Sequence, residues 1–166
     1  MIYQLRVRKF AVAFVASAIM AGPVLATPGS GFVPSPVVNG HFGSVDVKSQ
    51  SEKVGKWGMM LKTKDDTDIG ADRLVVQPHG YSGWHSHPGP VFVTVTSGTV
   101  EWYDAALCTA HSYSAGQSYI EPAGSTHDVR NPSSTSTAEY IAIVIKPGGF
   151  VGPAFRLDEP QPNNCE

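Results

Sequence analysis

Three things are scarce in this chain, and each scarcity narrows what it can be. Only two of its 166 residues are cysteine, Cys108 and Cys165, and neither sits in a Cys-x-x-Cys pair, which argues against a thiolate zinc site. Charge is sparse: Asp, Glu, Lys and Arg make up 16% of the residues, the net charge is -2, and no Lys/Arg block occurs. The electrostatic footprint of a nucleic-acid or anionic-membrane binder is therefore missing, and small molecules are the expected partners. There is no apolar run of the ~20 residues that a membrane-spanning helix needs. The run from Phe10 to Met20 is shorter, and Gly22 and Pro23 follow it. Internal repeats and low-complexity tracts are also absent.

What is present begins with a targeting pattern. Arg6, Arg8 and Lys9 form a basic region ahead of that apolar run, and Val24-Leu25-Ala26 fits the small-residue cleavage rule. Residues 1–26 read as a signal peptide, with maturation before Thr27, a secreted or periplasmic product and no membrane association after cleavage. Export places Cys108 and Cys165 in an oxidising compartment, where an even count predicts a disulfide.

With 42% apolar residues, the length suits one core and one domain. Residues 27–39, rich in Gly, Pro and Ser, read as an extended lead-in. From residue 40 to 157 the pattern is β. Arg73–Gln77, Val91–Thr96, Thr99–Tyr103 and Ala138–Ile145 are short β-branched and aromatic segments separated by Gly, Pro, Ser and Asn clusters, and Ser97-Gly98 joins two of them as a tight hairpin. The fold class is all-β, a sandwich or barrel. The stretch from Ser51 to Lys64 is ambiguous, because Gly55 and Gly58 interrupt any helix while Trp57, Met59, Met60 and Leu61 suit a strand equally. Residues 158–166, with Pro160 and Pro162, read as an irregular strap that Cys165 can pin.

The densest chemistry lies in Gly80-Tyr-Ser-Gly-Trp-His85-Ser-His87-Pro-Gly-Pro. Residues two apart on a strand face the same way, so His85 and His87 can reach one ion together. His127, after Pro122-Ala-Gly124, opens another short β segment and is the third candidate. Three imidazoles from separate segments suit one divalent transition metal: Fe, Zn, Mn, Ni or Cu.

These segments resemble the two motifs of the cupin superfamily. Gly80, His85, His87 and Gly98 match the first, with one residue fewer after the first Gly; Gly116, Pro122, Gly124, His127 and Asn131 match every position of the second. The resemblance implies a cupin jelly-roll barrel as a single domain, with His85, His87 and His127 as metal ligands and a homodimer as the assembly. The family's Glu position falls on Val91, or on Phe92 in the alternative register, and neither side chain binds metal. An open coordination position suits a catalytic centre. It also resembles the three-histidine ferrous sites of some cupin oxygenases, so a dioxygenase-type oxidoreductase is one expectation and a non-catalytic, metal-dependent ligand binder the other.

The remaining polar candidates are weaker. His41, His79 and His111 read as surface histidines. Gln77, Tyr119 and Glu121 are candidates for groups that orient a ligand histidine from behind. Trp84 and Tyr81 suit either the mouth of the barrel or its core, and Asp128 with Arg130 reads as a solvated ion pair.

Overall fold

The computed structural model describes residues 27–51, 55, 57–151 and 155–165; the expected signal peptide lies outside them. Alternation of apolar and polar side chains organises the chain into strands and gives each strand an inner face. In Val91–Ser97, Val91, Val93 and Val95 are buried while Phe92, Thr94 and Thr96 point outward. Ala138–Pro147 repeats the pattern with Ala138, Tyr140, Ala142 and Val144 inside, and extends it to a buried Lys146.

In chain order the strands are β1 (Ser30–Phe42), β2 (Asp46–Ser51), β3 (Trp57–Lys62), β4 (Thr67–Tyr81), β5 (His85–Ser86), β6 (Val91–Ser97), β7 (Thr99–Asp104), β8 (Thr109–Ser114), β9 (Ser118–Glu121), β10 (His127–Arg130), β11 (Ala138–Pro147) and β12 (Leu157–Asp158). Ten of them form one antiparallel sheet along the path β12-β5-β10-β4-β11-β6-β9, with β1 added on β4 and the β7–β8 hairpin added on β10. The sheet curls into a nearly closed barrel around Leu74, Val76, Val93, Val100, Val129 and Tyr140. The all-β barrel expected from the sequence is the architecture found.

Two stretches differ in detail from the sequence reading. Most of the lead-in at 27–39 is strand: β1 pairs along the whole of β4, from Ser30 opposite Tyr81 to Phe42 opposite Thr67. Pro34 and Pro36 are tolerated because β1 has a single neighbour and one row of its backbone donors is not needed for the ladder. The ambiguous stretch resolves as β3, which pairs with β2 in a separate two-stranded ribbon. Among the described residues, no helix is long and apolar enough to cross a membrane.

Candidate metal centre

His85 and His127 are brought together by strand pairing. β10 lies antiparallel to β5 with His127 directly opposite His85, and their ring centroids are 4.3 Å apart. His87 follows two residues after His85, with its ring 4.9 Å from that of His85 and 5.4 Å from that of His127. All three are buried, and each offers one ring nitrogen to a group whose members lie within 4.8 Å of one another, a spacing that can hold a metal ion.

Local backbone orients each ring. Gly83 has φ +74° and sits so close to the backbone of Thr27 that a Cβ there would collide with it, so the turn before His85 requires glycine. The carbonyl oxygen of Gly83 accepts a hydrogen bond from His85 Nδ1 at 2.8 Å. His87 Nδ1 donates to the carbonyl of Phe155 at 3.0 Å, and His127 Nδ1 to that of Ser125 at 2.8 Å. Gly124, at φ +69°, bends the Pro122–Gly124 loop so that its N–H reaches the carbonyl of His87 at 2.9 Å. A carbonyl can only accept, so all three rings carry a hydrogen on Nδ1 and, when neutral, direct an Nε2 lone pair at the shared space. His127 Nε2 is buried there with no hydrogen-bond partner. Three convergent lone pairs, one of them orphaned, are the donor set that a divalent transition metal takes, and the residues present fit such an ion.

Glu121 is the residue whose place the sequence understated. It does not stand behind a histidine; its carboxylate faces the same space, with Oε2 3.3 Å from His87 Nε2 and Oε1 3.4 Å from His127 Nε2. Burial drives the His85 ring well below its ordinary value, and the neighbouring His127 adds to this. Burial pulls His127 in the same direction, but the facing Glu121 carboxylate and the Ser125 carbonyl outweigh it and hold its value up. Burial would raise Glu121, yet His127 and His87 hold it well below the usual carboxylate range.

A cavity of about 20 Å³ adjoins His85, His87 and Glu121, lined also by Phe32, Asp72, Tyr140 and Arg156. That is room for about one water-sized group. Of the C-terminal segment, Arg156 reaches this cavity; it donates to the carbonyl of Ser82 at 2.7 Å, and β12 beyond it pairs with β5, Leu157 opposite Ser86 and Asp158 opposite His85. Cys108 and Cys165 are joined in a disulfide that fixes the far end of this segment to the β7–β8 turn.

Other candidates fall elsewhere. His41, His79 and His111 are exposed, as expected. Gln77 is also exposed and orients no histidine, because it falls on the outward phase of β4. Tyr119 is buried against Tyr113, its hydroxyl without a partner. Trp84 is core, 1% exposed. Asp128 and Arg130 do pair, at 2.7 Å, but the carboxylate is not solvated: it is buried and accepts from Ser82 Oγ at 3.0 Å, while that hydroxyl takes the N–H of Val129. Asp128 therefore ties β10 to the turn that carries His85. Asn131 is structural too; its side-chain amide spans the carbonyls of Val76 and Ser136 at 2.9 and 2.8 Å and receives the N–H of Ser133.

Residues 72–144 match the family model described as Cupin domain, a span that includes His85, His87, Glu121 and His127. This part of the chain is a cupin domain. Among solved structures it is similar to a cupin domain from Bordetella pertussis, with 22% identity over 63% of this chain and 94% of that one and a TM-score of 0.42. It is similar also to a cupin-like protein from Thermotoga maritima, with 20% identity, 58% and 68% coverage and a TM-score of 0.47. A polyketide cyclase from Streptomyces resistomycificus aligns over 87% of this chain and 91% of its own at 11% identity, with a TM-score of 0.47. No curated protein matches the chain.

Proposed function

We propose that this is an exported cupin that holds one divalent transition-metal ion on His85, His87 and His127 and acts as a dioxygenase-type oxidoreductase on a small molecule. The observation that carries the reading is the common tautomer of the three rings: every Nδ1 is spent on a backbone carbonyl, and every Nε2 is left for one shared point. When bound, the ion supplies Lewis-acid or redox chemistry at positions the histidines leave open. The chain's own part is to hold the rings, to exclude bulk water through Phe32 and Tyr140 at the cavity wall, and to set the local charge with Asp72, Glu121 and Arg156. Export is supported by the disulfide, which fits an oxidising compartment.

A second reading, a non-catalytic metal-dependent ligand binder, is favoured by the size of the cavity, since about 20 Å³ leaves no room for an organic substrate beside the ion. Elemental analysis of protein from its native compartment separates the two. Iron, with oxygen consumed in the presence of a small-molecule substrate, supports the oxidoreductase; zinc or nickel with no turnover supports the binder. Assembly as a homodimer belongs to the same reading. Ile143 lies opposite Phe92 and Phe92 opposite Ile120, so an exposed apolar row crosses β11, β6 and β9 on the outer face. Sedimentation at twice the chain mass supports this; a monomer at high concentration removes it.

A further inference from the structure

Val91 and Glu121 are direct partners across the antiparallel β6–β9 pair, and both side chains point into the barrel, 1% and 3% exposed. Side chains so paired have their Cβ atoms about 5 Å apart, so the two positions address the same space. Resting on the metal reading above, we propose that Glu121 is a fourth protein ligand, its carboxylate delivered from β9 into the space that Val91 on β6 leaves bare.

The argument is one of unmatched acceptors. With Nδ1 committed to carbonyls, His87 and His127 present Nε2 lone pairs, and the two carboxylate oxygens of Glu121 face them at 3.3 and 3.4 Å. Lone pairs directed at carboxylate oxygens in a buried site repel unless a proton or a cation lies between them, and one metal ion satisfies both contacts at once. Among the described residues, no Lys or Arg side chain pairs with this carboxylate. Separations of 3.3 and 3.4 Å are within the range for neighbouring ligand atoms around one ion with bonds of about 2.1 Å. Three neutral imidazoles would leave a buried ion its full double charge beside the Arg156 guanidinium at the same cavity; one carboxylate halves it. The carboxylate thus comes from the opposite strand of the pair.

The test is Co²⁺ titration of the metal-stripped mature chain, read by its visible absorption and dissociation constant, for the native protein, H127A, E121Q and the swap V91E/E121V. The proposal expects E121Q to weaken Co²⁺ binding about tenfold or more and to change the spectrum. It expects the swap, which returns a carboxylate from the facing strand, to recover most of the lost affinity. If H127A abolishes binding while E121Q leaves affinity and spectrum unchanged, Glu121 is no ligand, although the three-histidine site stands. If H127A binds Co²⁺ as tightly as the native chain, the metal reading fails and takes the proposal with it. Should E121Q fail to fold, judged by thermal unfolding, the swap decides: recovery supports the proposal, and a folded swap that binds no better than H127A overturns it.

Discussion

His87 donates its Nδ1 hydrogen to the carbonyl oxygen of Phe155, 3.0 Å away and 68 positions further along the chain, so a candidate metal ligand is oriented by the C-terminal segment. That segment is fixed at both ends of its course, by β12 against β5 and by the disulfide from Cys165 to Cys108. Stability and the proposed metal binding are therefore linked through one strap.

Reduction of the disulfide, or the pair C108S/C165S, should expose this link. The closed loop spans 57 positions, and in the chain-entropy picture such a cross-link contributes about 4 kcal/mol. The melting temperature should fall on reduction, and metal should dissociate faster because His87 loses its fixed acceptor. Calorimetry with and without reductant checks the first, and chelator-induced metal release the second. An unchanged release rate would mean that the strap does not hold His87.

Asn131→Ala should destabilise the fold by about 3 kcal/mol without touching the histidines. The side chain satisfies the carbonyls of Val76 and Ser136 and the N–H of Ser133, and buried polar groups left unpaired cost about 1–3 kcal/mol each. Urea unfolding gives the number. A metal-site role for Asn131 would instead appear as lost metal affinity with little change in the unfolding midpoint.

Asp68 joins three strands or their flanks: it accepts from His41 at 2.7 Å and from Asn39 and the N–H of Gly149 at 3.3 Å. The hydrogen bond from His41 dominates, against the opposing effect of burial, and the carboxyl stays below its ordinary value. A carboxyl so depressed adds stability above its unfolded value of about 4 and loses it as pH falls through the lower folded value. Asp68→Asn should therefore melt below the native chain at pH 7, with the gap closing as pH drops below about 4. A gap independent of pH would show that the loss is one of packing.

The period-two alternation of β6 and β11 was legible in the sequence, as were the two histidine segments and the inward direction of Val91, because each depends on neighbours within a few residues. Glu121 was harder to read. Its position opposite Val91 depends on the register between strands separated by the β7–β8 hairpin, and no local pattern states that register. One signal was available: Tyr119 and Glu121 share a face of β9, and Tyr119 belongs inside. Asp128 was misjudged for a related reason. Two polar residues spaced like Asp128 and Arg130 suggest an exposed face, but the turn at Ser82 folds over the carboxylate and buries it.

The central claim, one metal ion on three histidines, is tested most directly by counting metal. Native protein purified without chelator should carry about one divalent transition-metal ion per chain. His85→Ala, His87→Ala and His127→Ala should each lose it, while His111→Ala, an exposed histidine on β8, should keep it. Full occupancy in a folded triple variant lacking His85, His87 and His127 would contradict the account.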